Sequence, residues 1–506
     1  MTVSIIDQLP PPEANHPSTV RIDEKSIDPS LTPTIEAGSS GRLSWIQRWQ
    51  YISPYFLTAA QSFLIQFCSG LNDGNLGIIL PSIKAHYGLS QYVVSIIFLS
   101  NALGYITAAV LNGYLIKYFS QSKTALIGGC SMIIGYLVIL FAVPFPVTCI
   151  FMMPIGFGIA LTQAAANVVC GEMPYGMLML SFLHAFYAGG ALIGPLLASG
   201  ILSSQKPWNT TYMVLCGLAG ANVISIFICF RKLRTDSEKE LDAEKERMLQ
   251  HSDSDHHPQG QEHNEATNGS ITTAFNDQQI DQESLTSKEY AQKNNSLLSQ
   301  IFKFRLTTVG SVFLCFYTGL EVTIGNWGYT YLISTRSTDT VAMAHLMTGY
   351  WSGICAGRLF LGFATSRFGE KRMVYCYLSM IVVMLILLWF LPYIGANAAS
   401  LAITGCLLGP IFPTMIAVAQ RIVPTHLYAT SVGFLSAFAS AGTAIFPYVG
   451  GILIGSKGIS SMLPFCVALG GAMLVMWIFI PDPRPPTKLS AKFKKWMTDL
   501  GPWKST

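Results

Sequence analysis

The chain contains an internal repeat. Residues 62–123 align with residues 311–372 at one constant offset, which places Gly104 opposite Gly353. A second block, residues 182–195, aligns with residues 434–447 at nearly the same offset. Both copies consist of apolar stretches of helical length. A sequence that repeats in this way predicts two similar helical halves that pack around a shared interface.

The apolar stretches are long enough to cross a lipid bilayer. Hydrophobic residues make up 51% of the 506 residues and charged residues only 11%, about half the charged share of a soluble domain. A spanning helix needs about 20 mostly apolar residues. Such segments are predicted at 54–80, 92–116, 123–143, 147–170, 177–203, 211–230, 305–333, 343–363, 372–393, 396–419, 428–453 and 460–480. The predicted fold is therefore an all-α membrane protein with twelve transmembrane helices in two pseudo-symmetric six-helix bundles.

The basic residues lie on one side of this predicted bundle. Lysines and arginines concentrate in the terminal tails and the even-numbered loops, whereas the odd-numbered loops hold few. Because basic loops stay in the cytosol, both termini are predicted to be cytosolic. The chain then divides into a disordered N-terminal tail (1–53), an N-terminal bundle (54–230), a disordered cytosolic linker (231–304), a C-terminal bundle (305–481) and a cytosolic C-terminal tail (482–506).

No cofactor or metal site is predicted. The eleven cysteines lie in apolar segments without ligand-like spacing, as buried apolar side chains do. The linker holds a histidine cluster, but its polar composition is typical of a solvated segment. No nucleophile constellation or phosphate-binding loop indicates an enzyme. Asn209 begins an Asn-Thr-Thr triplet that the topology places outside, so it is the candidate glycosylation site.

Two carboxyl groups are predicted inside the membrane. Asp73 lies between Gly70 and Gly77 in the first helix, and Glu321 lies near the middle of the seventh. An ionised group there costs about 2.5–3.5 kcal/mol on insertion scales. Both are therefore candidates for carrying a coupled proton. The alternatives are that Asp73 caps a broken helix near its outer end and that Glu321 is a structural, hydrogen-bonded carboxylate.

Polar and aromatic side chains on three helices are candidate solute contacts. Amides both donate and accept hydrogen bonds, and aromatic rings stack on the apolar faces of sugars, so such a set suits a neutral hydroxylated ligand. The alternative roles are interhelical hydrogen bonding and, for the tryptophan, anchoring at the membrane interface. The candidates on these helices are Gln163, Asn167, His184, Tyr187, Asn326 and Trp327, and Asn72 of the first helix is a further candidate.

The loop after the eighth helix resembles the loop motif of the major facilitator superfamily. Residues 362–372 contain the glycines and basic residues of that motif, but Ser366 occupies its acidic position. The gating ion pair that the family builds there therefore lacks its acid. The resemblance implies a loop or gating role for Arg367, Lys371 and Arg372. Arg358, near the cytosolic end of the eighth helix, is predicted to snorkel or to join a gate.

Three further segments are similar to the fucose-permease-like sugar:proton symporters, including uncharacterised fungal members. They are residues 161–167, 184–195 and 409–414. This resemblance implies a mechanistic acid in the first helix, matched by Asp73 or its neighbour Asn72. The acid of the fourth helix is replaced by Gln163, and an amide cannot take up a proton. Coupling would then move to Asp73 or Glu321, or be absent.

The expected function is secondary active transport of a small, sugar-like solute by alternating access, coupled to protons. One alternative is proton antiport that exports a lipophilic or secondary metabolite, because residues 190–195 resemble part of the antiporters' Gly-Pro motif. Another is a membrane nutrient sensor that binds solute without moving it. The expected partners are the solute, protons and the bilayer, without nucleic acid. The protein is expected to be a monomer in the plasma membrane, and substrate and direction stay open.

Overall fold

The structure is a computed structural model, and it describes residues 55–173, 176–231 and 304–482. All regular secondary structure in these residues is helical. The predicted N-terminal tail (1–53) and nearly all of the predicted linker (231–304) and C-terminal tail (482–506) lie outside the described residues. The predictions made for those segments stay predictions.

The first half is built from long helices with short connections. Its helices are α1 (Phe56–Tyr87), α2 (Gln91–Val94), α3 (Ile96–Phe119), α4 (Gln121–Leu140), α5 (Phe145–Glu172), α6 (Gly176–Ser203) and α7 (Thr210–Cys229). The short α2 leads directly into α3, so the two form one crossing. α1 continues about two turns beyond the predicted end at residue 80. It stops where Gly88 adopts a left-handed conformation, with φ of 64°, which glycine tolerates without strain.

The second half follows the same plan with two interruptions. Its helices are α8 (Arg305–Thr335), α9 (Thr340–Ala356), α10 (Gly362–Phe368), α11 (Glu370–Phe390), α12 (Ile394–Leu408), α13 (Ile411–Ile422), α14 (Thr425–Lys457) and α15 (Met462–Phe479). A π-helical turn, Gly357–Leu361, joins α9 to α10. α12 and α13 are separated at Gly409 and Pro410, because proline has no backbone N–H to continue the helix.

Ten helical segments in the described residues are long and apolar enough to cross a membrane. α1 and the α9–α10 segment are not among these ten, and with them the described residues contain the twelve long helical segments that the sequence predicts. α1 is 32 residues long but less apolar than its neighbours, because it buries several polar side chains: Gln61, Gln66, Asn72 and Asn75.

The internal repeat is confirmed by matching backbone contacts. A Cβ atom on Gly104 of α3 would overlap the carbonyl oxygen of Met153, and one on Gly353 of α9 would overlap that of Ala402. The residue numbers of the two contacts differ by the same offset as the two copies of the sequence repeat. The reciprocal contacts repeat as well. A Cβ atom on Gly156 would overlap the carbonyl oxygen of Asn101, and one on Gly405 would overlap that of Tyr350. Each half therefore has the same frame, in which glycines let helix backbones approach closely.

The two halves contact each other through α1 with α8, α3 with α14, and α6 with α9. The first two pairs meet toward the side that the sequence predicts to be outside. A Cβ atom on Gly77 would overlap the carbonyl oxygen of Gly325, and one on Gly451 would lie 2.8 Å from the Ser95 hydroxyl oxygen. The halves are therefore packed together at this end, which we call the outer contact.

Candidate functional site

α1 and α6 pack against each other through glycines. Gly70 of α1 faces the backbone of Tyr187, and Gly190 of α6 faces that of Phe67; a Cβ atom at either glycine would overlap the facing carbonyl oxygen. Glycine permits this approach because it has no side chain. The close packing brings Asp73, one turn after Gly70, into contact with Tyr187.

Asp73 is held by neutral donors. The Tyr187 hydroxyl donates to Oδ2 at 2.6 Å and the Asn72 amide donates to Oδ1 at 3.0 Å. The Asn72 oxygen in turn accepts a hydrogen bond from Tyr136 at 3.1 Å. Among the described residues no Lys, Arg or His forms an ion pair with Asp73, and its side chain is partly exposed. The capping alternative is wrong, because α1 runs on through Asp73 to Tyr87.

Glu321, by contrast, is paired with a cation. Nη2 of Arg358 lies 3.0 Å from Oε1 of Glu321, and the two side chains are 7% and 5% exposed. The Tyr350 hydroxyl donates to the backbone carbonyl of Glu321 at 2.9 Å. Protonating Glu321 would leave Arg358 as an unpaired buried charge, which costs about 3–5 kcal/mol. This geometry favours the structural alternative for Glu321. It also shows that Arg358 does not snorkel.

A π-helical turn presents Arg358 to the site. Arg358 is the second residue of the turn Gly357–Leu361. A Cβ atom on Gly357 would overlap the Cys406 carbonyl oxygen, and one on Gly409 would lie 2.7 Å from the Arg358 backbone nitrogen. Glycines on both helices thus let α12 press against the turn. π-helical turns are rare in proteins, and those that occur are often found at functional sites.

Arg358 also joins the two halves. Its Nη1 donates to the backbone carbonyl of His184 at 2.9 Å, and its guanidinium carbon lies 5.6 Å from the centre of the Tyr187 ring. The His184 ring packs against Phe412 of α13, with centroids 5.4 Å apart. The predicted solute contacts His184 and Tyr187 therefore lie where the halves meet, beside Asp73.

The other predicted solute contacts make different interactions within the protein. Gln163 and Asn167 are partly exposed on α5, and the Asn167 amide donates to the Gln163 carbonyl at 2.9 Å. Asn326 is buried beside Gly77 in the outer contact. Trp327 is fully buried, and its indole N–H donates to the Pro447 carbonyl at 2.9 Å. Trp327 is thus a packing residue of the outer contact, which a solute reaches only if that contact opens.

The predicted loop residues divide into two groups. Arg367 and Arg372 are exposed at the ends of α10 and α11. Lys371 instead donates to the backbone carbonyls of Trp477 and Ile480. It therefore caps the C-terminal end of α15, where a cation is favourable. This contact lies within one half of the protein.

An ion pair forms near the motif position that has lost its acid. Glu370, the first residue of α11, lies 2.7 Å from Nη1 of Arg421 at the end of α13, and the side chains are 4% and 50% exposed. Glu370 lies four residues after Ser366 in the chain. The pair links two helices of the same half.

The side-chain nitrogen of Asn209, to which a glycan would be attached, makes a hydrogen bond within the protein. Its amide nitrogen donates to the carbonyl of Leu140 at 2.7 Å, between α7 and the end of α4. N-linked glycosylation replaces one of the two hydrogens on this nitrogen, so a glycan would have to fit beside the bond to Leu140. The structure disfavours modification of Asn209 because this nitrogen faces the end of α4.

Two tyrosines of the site were missed by reasoning from the sequence. Tyr136 orients Asn72, and Tyr350 holds the backbone of Glu321. Each contact joins different helices, so no local motif marks it. A hydroxyl in an otherwise apolar segment is the only signal that could have suggested them. Within the described ranges no cluster of His, Cys, Asp and Glu could hold a metal ion.

The sequence has recognisable relatives. A family profile described as Major Facilitator Superfamily matches residues 62–433 and 309–506. The Saccharomyces cerevisiae protein named Bypass of stop codon protein 6 is 25% identical over 425 residues, which cover 81% of this chain and 80% of that protein.

Solved structures of transporters share the fold. The E. coli fucose:proton symporter is 16% identical, with a TM-score of 0.53 over 85% of this chain and 99% of the other. A nucleoside transporter is 12% identical, with a TM-score of 0.59 over 83% and 99%. A peptide transporter is 12% identical, with a TM-score of 0.59 over 84% and 93%. The chain belongs to the Major Facilitator Superfamily and is a multi-pass membrane protein that acts as a secondary transporter.

Proposed function

We propose that the protein is a proton-coupled transporter of a small polar solute and that Asp73 carries the coupled proton. The observation that carries this proposal is the contrast between the two acids inside the predicted membrane region. Glu321 is neutralised by Arg358, whereas among the described residues Asp73 accepts hydrogen bonds from a phenol and an amide and pairs with no cation. A carboxyl group without a paired cation inside a membrane gains stability from taking up a proton. Asp73 can therefore change its charge without breaking an ion pair.

The solute site lies between the halves, next to Asp73 and the turn that contains His184 and Tyr187. Two carboxylates and one guanidinium leave the centre with one net negative charge when both acids are ionised, which repels an anionic solute. Hydroxyl, amide and imidazole groups suit a neutral hydroxylated solute such as a sugar. The structural neighbours named for fucose, nucleosides and peptides support a small polar solute without selecting one.

Alternating access supplies the transport cycle. The outer contact is closed in this structure, and loading from outside requires α1 and α8 to separate there. The exposed Arg367 and Arg372 fit a cytosolic face, in keeping with both termini in the cytosol. The protein acts as a monomer, with the plasma membrane as its location.

The test is proton flux in proteoliposomes that contain the purified full-length chain. Internal pH is followed while sugars and other small polar solutes are added outside under an imposed pH gradient. Solute-driven acidification is expected for the native protein and is lost in Asp73→Asn. That variant keeps exchange of labelled solute across the membrane, because exchange needs no net proton movement. Asp339→Asn is the matched control, since this carboxylate caps α9 at 2.9 Å from the Ala342 nitrogen, away from the site.

Three outcomes would contradict the proposal. Acidification that persists in Asp73→Asn would place the proton elsewhere. Alkalinisation of an acidic interior as a metabolite enters would indicate antiport. Saturable solute binding without any flux would indicate a sensor.

A further inference from the structure

One turn of α6 makes the central contact between the halves. Arg358 donates to the His184 carbonyl at 2.9 Å, and the Cys355 sulfur lies 3.8 Å from the Ala185 carbonyl oxygen. Arg358 also lies over the Tyr187 ring, 5.6 Å from its centre. These contacts link α9 and its π-helical turn in one half to residues 184–187 in the other. We call them the central contact.

Tyr187 touches both the central contact and the proposed proton site. Its hydroxyl donates to Asp73 at 2.6 Å, while its ring face lies under the Arg358 guanidinium. A tyrosine side chain is rigid beyond its two rotatable bonds, so the hydroxyl cannot move without moving the ring. Arg358 in turn pairs with Glu321. One side chain therefore links the carboxyl of one half to the ion pair of the other.

The charge on Asp73 changes both ends of this link. An ionised carboxylate makes a short charge-assisted bond that holds the Tyr187 hydroxyl. It also adds electron density to the phenol, which strengthens the attraction between the ring and the guanidinium. A protonated Asp73 loses the charge that holds the hydroxyl, and the attraction between ring and cation falls. The central contact is thus strongest when Asp73 is ionised.

We infer that Tyr187 is a positioning residue that transmits the protonation state of Asp73 to the Arg358 contact between the halves. The inference rests on the proposed function, because it takes Asp73 as the proton site. It makes Tyr187 a coupling residue in addition to a candidate solute contact. Loss of its hydroxyl disconnects the proton from the conformational change without removing either carboxyl.

Several other titratable or charged groups lie on the helices around Asp73. α7 contains no charged residue, and α5 contains only Glu172 at its end. The titratable or charged side chains on the surrounding helices include Tyr105 of α3, Tyr136 of α4, His184 and Tyr187 of α6, Tyr212 of α7, Tyr317 and Glu321 of α8, and Arg358 after α9. Tyr187 is the member of this set that donates directly to Asp73.

Cys355 provides a native reporter of the central contact. A full-length variant that keeps Cys355 as its only cysteine is placed in nanodiscs and labelled with a maleimide in mildly acidic and mildly alkaline buffers. Each rate is divided by that of the same protein denatured in SDS at the same pH, which removes the thiol's own ionisation. A variant that keeps only Cys466, buried inside one half, controls for general loosening. The readout needs no solute and no transport.

Acidification is expected to raise the relative labelling of Cys355 by about fivefold, the factor for loss of one such contact. Asp73→Asn holds the rate at its acidic value at every pH. Tyr187→Phe keeps the ring but removes the hydroxyl, and it removes the pH dependence. Tyr105→Phe, which changes a neighbouring tyrosine that makes no hydrogen bond to Asp73, keeps the native pH dependence.

The result that overturns the inference is a native pH response in Tyr187→Phe, or no response in the unmodified background. Either result leaves the proposed function intact if proteoliposomes still lose acidification in Asp73→Asn. A response that survives Asp73→Asn overturns the assignment of the proton site as well. Monodisperse elution of each variant shows that it is folded.

Discussion

Removing one charge of the buried pair between Glu321 and Arg358 is expected to destabilise the protein strongly. The atoms are 3.0 Å apart and both side chains are less than a tenth exposed, so neither charge can be solvated by water if its partner is lost. An unpaired buried charge costs about 3–5 kcal/mol. Glu321→Gln is expected to lower the free energy of unfolding by that amount. Arg358→Gln also loses the bond to the His184 carbonyl, worth about 1 kcal/mol.

Removing both charges together is expected to cost less than removing either. The double variant Glu321→Gln with Arg358→Gln leaves two amides that can hydrogen-bond to each other, and no buried charge remains. We expect a loss of about 1–2 kcal/mol, because replacement of a whole buried ion pair by neutral groups is often close to neutral. The four proteins form a double-mutant cycle, whose coupling energy isolates the pair.

The assay is unfolding in detergent micelles, followed by tryptophan fluorescence at increasing SDS mole fraction. The matched cycle uses Glu370→Gln and Arg421→Gln, because the arginine of that pair is half exposed and the pair is screened by solvent. Its coupling energy is expected to be about 1 kcal/mol or less. Additive effects at Glu321 and Arg358, or a Glu321→Gln variant of native stability, would refute the reasoning that the buried pair between them stabilises the protein.

Three further outcomes are expected. Gly77→Val should prevent closure of the outer contact and raise the labelling of Ser95→Cys from outside by at least about fivefold, the shift for 1 kcal/mol of overpacking; an unchanged rate would contradict the closed contact. Asn209→Gln should leave electrophoretic mobility unchanged, and an endoglycosidase should not shift the native protein; any shift would show that the bond to Leu140 does not prevent modification. Lys371→Met should lower stability by about 1–2 kcal/mol through loss of the cap on α15, whereas Arg372→Met should change it by about 0.5 kcal/mol or less; equal effects would argue against the cap.

The fold was predictable because its signals are local or periodic. Apolar helical stretches located the crossings, and the repeat register paired Gly104 with Gly353 before the structure showed their equivalent contacts. The end of α1 was placed too early, because the sequence marks where the apolar run stops and not where the helix stops.

Most members of the candidate site could be named from the sequence, Tyr136 and Tyr350 excepted, but their pairings could not. Asp73, Glu321, Tyr187 and Arg358 were all named from the sequence, yet nothing local shows that Arg358 reaches Glu321 and not the cytosol. That contact depends on a π-helical turn, and a single sequence has no signature for such a turn. The repeat could not help, because Arg358 aligns with Ala109. Contacts between distant helices follow from packing, which residue types alone do not specify.

The glycine contacts that repeat in the two halves have a consequence for how such a protein acquires new substrates. They are made to backbone carbonyls, so they do not depend on the side chains that line the centre. Since the two copies arose, Glu321 has come to stand opposite Asn72, while Gly353 still stands opposite Gly104. Lining residues can thus change while the helix frame is kept, except where a single change would break the buried pair between Glu321 and Arg358. Changes in the lining residues can alter what the protein binds, whereas the glycine contacts keep the helices in place.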